Sequence, residues 1–341
     1  MVPLLSRSSY KTLGLIVVAA LLLLAFALSV AIGSTKIALP ATVESFLRYD
    51  SSSNEHVIIR TTRLPRAVYA VLIGGSLAVA GALMQALTRN PLASPGIFGV
   101  NAGAVACVVL ALKFLPVSSM SQLVWFAFMG AAVASLTVYF LGSLGRGGMT
   151  PMKVVLAGAA MTALFTSITQ GMLVLNESGL QSVLFWLAGS IAGKELSALY
   201  PVMPYMLGAG VAALAMAHAV NLIASGEEMA KGLGQRTALV KAAIALAVVL
   251  LAGSSVAVAG AIGFVGLVIP HVARYLVGVD YRWVLPYSAV LGGILLLLAD
   301  IAARFLIQPG EIPLGVMTGL VGGPFFIYIA RKGLRAKGEA K

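Results

Sequence analysis

The sequence predicts an all-α polytopic membrane protein with about ten transmembrane helices, and three observations carry that prediction. Hydrophobic residues fill 60% of its 341 positions and charged residues only 10%, whereas a soluble chain carries about 25% charged residues. Several stretches of about 18 or more nearly uncharged residues are long enough to cross a bilayer core as helices. The period-2 alternation of an outer-membrane barrel is missing from them.

Charges, prolines and glycines punctuate the apolar runs and place ten spans in a single transmembrane domain over 1-341. The first, at about 13-33, follows Arg7 and Lys11 but is longer than a signal-peptide core, so it is kept as a helix. The next four are expected at about 64-87, 97-115, 122-144 and 152-174. Residues 175-197 hold an apolar piece too short to span, which reads as an interfacial or re-entrant helix. Spans at about 198-222, 239-257, 261-278, 284-306 and 312-330 complete the set. Cys107 is the single cysteine, so no disulfide forms within the chain and no CxxC pattern exists.

With the N-terminus inside, fifteen of the 23 basic residues fall on inner segments and eight on outer ones. The positive-inside rule therefore favours both termini inside. The net charge of +12 is spread over short loops, which suits membrane lipid and not nucleic acid, whose binders concentrate charge in a patch. Arg60, Arg63 and Arg66 in "RTTRLPR" run against the rule, since this orientation puts them outside with Arg304 nearby. An acidic partner is one explanation, because guanidinium groups recognise carboxylates bidentately. Snorkelling to lipid phosphates is the other.

Four further features bear on function. In "TRNPLASPGIFGVNAGA", Pro91 and Pro95 forbid a continuous helix while Gly99 and Gly103 let helices approach closely, so Asn90 lies in a tight loop or at an inner constriction. The most polar internal stretch, Ala224 to Lys241, suggests a short helix on the inner face with Glu227 and Glu228 in its first turn. A soluble partner could grip it, or it is a solvated loop. Thr162, Thr166 and Thr169, with Gln170, make one face of the fifth span polar, as a pathway lining would be, unless the hydroxyls bond back to the preceding turn. Asp300 and Arg304 are spaced to pair at i, i+4.

Other chemistry finds little support. Acidic residues are nearly absent from the spans, which argues against the proton-coupled secondary carrier that is the alternative of another class. "GSIAGKE" departs from a phosphate loop in spacing and in Glu195, and no paired catalytic groups suggest an intramembrane enzyme. His271 stands apart from His56 and His218, which favours a structural role.

Taken together, "RLPRAVYAVLIGGSLAVAGALMQALTRNPLASPGIFGVNAGA", "GEEMAKGLGQ", "GFVGLVIPHVAR" and "LADIAARF…GEIPLGVMTGLVGGPFFIYI" closely resemble the FecCD-type permease family of ABC importers for iron-siderophores, haem and vitamin B12. The resemblance implies a vitamin B12 importer permease-like fold in a bacterial cytoplasmic membrane. It also implies a second permease subunit, identical or a sibling, two cytoplasmic ATPases that hold the ATP and Mg, and an extracytoplasmic substrate-binding protein. No cofactor is implied on this chain, and no covalent chemistry; transport would run by alternating access.

By the same resemblance, Arg63, Arg66 and Arg304, with Arg60 one step upstream, match outer-rim residues that meet the binding protein. Asn90 and Leu92 match one cytoplasmic gate turn, and Met149, Thr150, Pro151 and Met152 fall at a second, where Pro151 and Met152 replace the family's small-hydroxyl pair. Glu228, Ala230 and Gly234 match the E-x-A-x-x-x-G core of the element that couples to the ATPase, with Glu227, Gly232 and Leu233 beside them. An iron-siderophore complex is the expected cargo, with haem or cobalamin as alternatives.

Overall fold

The computed structural model describes residues 3–117, 119–144, 150–174, 187–307 and 310–338, and no β-strand occurs among them. The helices, in chain order, are α1 (Ser8–Ala31), α2 (Leu39–Leu47), α3 (Asn54–Ile58), α4 (Leu64–Thr88), α5 (Val100–Phe114), α6 (Met120–Ser143) and α7 (Pro151–Val174). There follow α8 (Met203–Ala215), α9 (Ala217–Ser225), α10 (Glu227–Gly232), α11 (Thr237–Ala259), α12 (Val265–Val277), α13 (Tyr281–Leu306) and α14 (Leu314–Gly338). A turn of π-helix, Ile59–Arg63, joins α3 to α4.

Among the described residues six helices are long and apolar enough to cross a membrane, the stretch Asn54–Thr88 being one of them, and the bent pair α8–α9 makes a seventh. Shorter apolar helices are α5, α12 and the Leu314–Tyr328 part of α14. Each of the ten expected stretches falls on one of these elements.

The differences have local causes. The single span expected at 198-222 is two helices that meet at a 61° bend. The fifth residue of the run Gly260 to Phe264 is left-handed (φ 65°) and the first is glycine at φ 75°, so α12 starts at Val265 and not near 261. Likewise Pro95 opens a 3₁₀ turn and Gly99 (φ 70°) closes it, delaying α5 to Val100. Helices α2 and α3 were not expected; Pro40 sits in the first turn of α2, where a missing N–H costs nothing. Of residues 175-197, those from 187 are helical at 187–188, then run as non-helical backbone to the 3₁₀ turn Leu196–Ala198, held between other elements. Ser190 N–H donates to the Ala259 carbonyl (2.8 Å) and Gly315 N–H to that of Gly189 (3.0 Å). Lys194 donates to the Val258 carbonyl, and the Tyr69 hydroxyl to that of Glu195 (2.8 Å). The remainder of that predicted segment lies outside the described residues.

Helices α4 and α11 form the centre, with 83% and 78% of their apolar windows buried, while α1 and α7 lie at the rim with 17% each. Lipid is as apolar as leucine, so helices here associate through close backbone packing at small residues. Gly74 of α4 abuts Gly292 of antiparallel α13, Gly81 abuts Gly266 of α12, and Gly103 of α5 abuts Gly130 of α6; a Cβ at any of them would strike the facing backbone. Gly81→Val is therefore expected to destabilise the fold by about 1–3 kcal/mol or more through overpacking, read as a lower unfolding midpoint in detergent. Gly208, where an added methyl group would meet nothing within 4 Å, is the control, since Gly208→Ala should leave the midpoint level or higher.

The N-terminal strap is also held in place. Leu4 and Leu5 N–H donate to the carbonyls of Tyr275 and Leu276 (3.2 and 2.9 Å), and the Tyr287 hydroxyl donates to the Lys11 carbonyl (2.7 Å).

Candidate functional site

Two groups of polar residues occupy opposite ends of the bundle. Because α4 and α13 run antiparallel, the start of one meets the end of the other, and Arg66 faces Asp300 and Arg304. Arg66 donates through Nε and Nη2 to Asp300 Oδ1 (3.2 and 2.8 Å), and its Nη1 reaches both Glu311 oxygens (2.9 and 2.7 Å). Arg304 pairs with the other Asp300 oxygen one turn away and donates to the Ser29 and Ile32 carbonyls (2.8 and 2.9 Å). Arg63 donates to the carbonyls of Val30 (3.1 Å), Ala31 and Thr35. Most of these acceptors are carbonyls that the end of α1 leaves without intrahelical partners.

Arg63, Arg66 and Arg304, expected on an outer rim for an acidic partner, are instead buried within this chain. Their exposures are 3%, 6% and 2%, and that of Asp300 is 1%. Arg66 and Arg304 meet carboxylates of the same chain, and Arg63 and Arg304 donate to carbonyls at the end of α1 and just beyond it. Arg60 alone is exposed; its Nε donates to the Ser45 carbonyl (3.0 Å) and its guanidinium lies 4.6 Å over the Tyr49 ring.

At the other end, Arg89 closes α4 in the left-handed conformation (φ 48°) and the chain turns at once. Asn90 Oδ1 accepts the Leu92 N–H (2.9 Å) and the Asn90 carbonyl accepts that of Ala93 (3.1 Å), a local pattern that fixes the turn without a helix. Of the second expected gate, Met149 lies outside the described residues. Thr150 caps α7 by accepting the Lys153 N–H (3.4 Å), Pro151 is the first helical residue and Met152 is 68% exposed. The two gate segments meet indirectly, since the Ile97 carbonyl rests on Gly158 of α7, about two turns beyond Pro151.

Residues 227–234 form the expected short helix, α10, and its stop. Ala230 is fully buried and anchors it, Gly234 (φ 78°) ends it, and the Gln235 N–H returns to the Ala230 carbonyl (2.9 Å). Glu227 bonds Lys241 (2.6 Å) and Lys231 (3.0 Å). These hydrogen bonds, that to Lys241 first, hold its pKa at about 2. Glu228, Met229, Gly232, Leu233 and Gly234 line the outside of this loop, which offers two large exposed apolar side chains beside a carboxylate.

The Glu227 pairing sets a pH window. A carboxylate depressed in the fold stabilises it above its unfolded value, near 4.3, and loses that contribution as pH falls toward about 2. Amide protection of α10 is expected to be level from pH 7 to 5 and to decline below about 4.3, as hydrogen exchange corrected for intrinsic rates would show.

Of the expected pathway residues, Thr169 is 4% exposed and its hydroxyl donates to the Phe165 carbonyl (2.9 Å), the bonded-back arrangement. Thr166 and Gln170 are exposed and Thr162 is half-buried, on a face of α7 that also carries Ala163, Ser167 and Gly171. His271 sets Nδ1 3.0 Å from the Leu267 carbonyl, a local contact within α12. Sequence reasoning missed Glu311, whose partner is 245 positions away, and the half-buried contact between Arg274 and Gln85. Neither pairing has a spacing signature.

The chain is 53% identical to the probable siderophore transport system permease protein YfiZ of Bacillus subtilis (strain 168), over 96% of this chain and 98% of that protein. It is 45% identical to the Fe(3+)-citrate import system permease protein YfmD of the same organism, over 97% and 98%. A solved structure of a putative metal-chelate type ABC transporter in an inward-facing conformation superposes with a TM-score of 0.81 at 28% identity, covering 94% of this chain and 99% of that one. The model of the FecCD transport family matches residues 21–332, and with buried glycine seams, a polar turn after α4 and the α10 loop in place, the chain belongs to the FecCD transport family.

Proposed function

We propose that this multi-pass protein is the permease subunit of an ABC importer that carries a ferric siderophore inward across a bacterial cytoplasmic membrane. The observation that carries this reading is the 53% identity, over nearly the full length of both chains, to a siderophore transport permease. The α10 end is then cytoplasmic and the Arg66–Asp300 end outer. Alternating access would work by differential contacts in two states. A second permease would face the exposed small and polar side of α7, and ATPases would grip α10 through Glu228, Met229 and Leu233. An outer binding protein would meet Arg60 and its neighbours on α2 and α3, and not the buried arginines.

Proteoliposomes holding the permease with its ATPase and binding protein test the reading. Uptake of a labelled ferric siderophore should require ATP and persist with a protonophore. Uptake that collapses with the proton gradient, or that accepts haem or cobalamin and no ferric chelate, would replace it.

A further inference from the structure

A cavity of about 600 Å³ opens at the α10 end and is lined by Gln85, Arg89, Asn221, Arg274, Asp280 and Tyr281, among others. Its walls come from the end of α4, from α9, from α12 and from the start of α13. Two guanidinium groups share this wall, and neither has a carboxylate partner among the described residues. Arg274 is spanned on one side by Gln85, whose Oε1 accepts from it, and approaches His271 Nδ1 at 3.5 Å. Arg89 is exposed, with its guanidinium beside Gly226.

The wall's own carboxylate is already committed. Asp280 accepts from Arg282 Nε and Nη2 (3.0 and 2.9 Å to Oδ2) and from Asn221 Nδ2 (2.7 Å). Burial opposes its charge, yet these bonds outweigh it and hold its pKa at about 2. The cavity therefore keeps an excess of positive charge. Elsewhere in the chain buried arginines find acids or rows of carbonyls, as Arg66 and Arg304 do. Here Arg89 opens on the cavity, and Arg274 is met by Gln85, Tyr281 and His271, with no acid among the described residues.

The backbone at Arg89 points the same way. It holds the left-handed position at which helices usually end in glycine, so a strained conformation is occupied by a large cation. Guanidinium forks at a cavity wall suit tetrahedral oxyanions, which accept several donors at once.

We propose that this cavity is a binding site for a phosphate-type oxyanion, held between Arg89 and Arg274. The group could arrive as free phosphate or as the headgroup of an anionic phospholipid. The site adjoins Ser225 and Gly226, where α10 begins, so an occupant would brace the base of that helix. That the site faces the cytoplasm rests on the proposed function; binding itself does not.

The test uses the full chain in detergent at constant ionic strength, with the unfolding midpoint and calorimetry as readouts. Inorganic phosphate and short-chain phosphatidylglycerol are the probes, with chloride, acetate and short-chain phosphatidylcholine as references. Saturable stabilisation by either phosphate probe is expected, and Arg89→Gly should weaken it at least tenfold without lowering the midpoint of the ligand-free protein. Arg274→Lys, which keeps the charge but loses the fork, should also weaken it. Tighter binding of phosphatidylglycerol than of phosphate would assign the lipid source, and the reverse the free ion. No shift beyond chloride, an equal shift in Arg89→Gly, or acetate matching phosphate would overturn the proposal; the last would point to a partner's carboxylate. Failure of ATP-driven uptake leaves these readings intact.

Discussion

Asp300→Asn should cost the fold about 3–5 kcal/mol, because it leaves two buried guanidinium groups without the charge they share. The substitution keeps side-chain volume, so packing cannot explain the loss. The carboxylate is 1% exposed and pairs with Arg66 on one oxygen and Arg304 on the other. Glu311, 31% exposed, remains to Arg66 but does not contact Arg304 in the described bonds. The expected result is a sharp fall in unfolding midpoint and in the monodisperse fraction after purification. Arg60→Ala, which loses a carbonyl bond and the contact with the Tyr49 ring, should cost far less, about 1 kcal/mol. Equal stability of Asp300→Asn and the parent would mean that the cluster does not brace the helix ends. Buried ion pairs often stabilise no better than apolar residues of the same shape, so a full Asp300, Arg66 and Arg304 replacement by apolar residues separates two roles. Restored stability with lost transport would assign the cluster to function.

The second large effect is expected at α10. Met229 and Leu233 are 58% and 65% exposed, so Met229→Asp with Leu233→Asp should leave the permease folded. If an ATPase covers them, charges placed at the centre of that contact remove about 2 kcal/mol or more, roughly a thirtyfold loss of affinity. Co-purified ATPase should fall and ATP-driven uptake with it, at an unchanged unfolding midpoint. Normal uptake by the double variant would place the contact elsewhere. Ala230 needs separate treatment, since it is fully buried and any larger residue there tests packing and not docking.

The parts of this protein that were legible in its sequence are those governed by local rules. Long apolar runs have one low-energy form in lipid, since a helix satisfies its own backbone; hence the ten expected stretches coincide with helices or a bent pair. The α10 loop was legible because its polarity and its glycines are local. The bend between α8 and α9 was not, as no proline or glycine stands at Met216, and α2 was hidden because nine residues between two spans are too few for periodicity to register. The arginines show the sharper limit. Their number and spacing announced an unusual site, but which carboxylates they meet depends on α4 and α13 lying antiparallel, a fact of tertiary packing. Arg63 and Arg304 draw mostly on carbonyls of α1 and the residues just after it, and carbonyls leave no mark in a sequence.

Helix α13 has 26 residues and so measures about 39 Å from end to end. At its first residue the Tyr281 N–H, with Asp280 just before it, is bonded to Asn221 of α9, which leads directly into α10. Near its last residues it carries Asp300 and Arg304. One helix, with Pro286 in its second turn, therefore joins the base of the α10 loop to the charge cluster at the far face. A tilt of a few degrees at one end becomes a displacement of an ångström or more at the other, with no relay of side chains between.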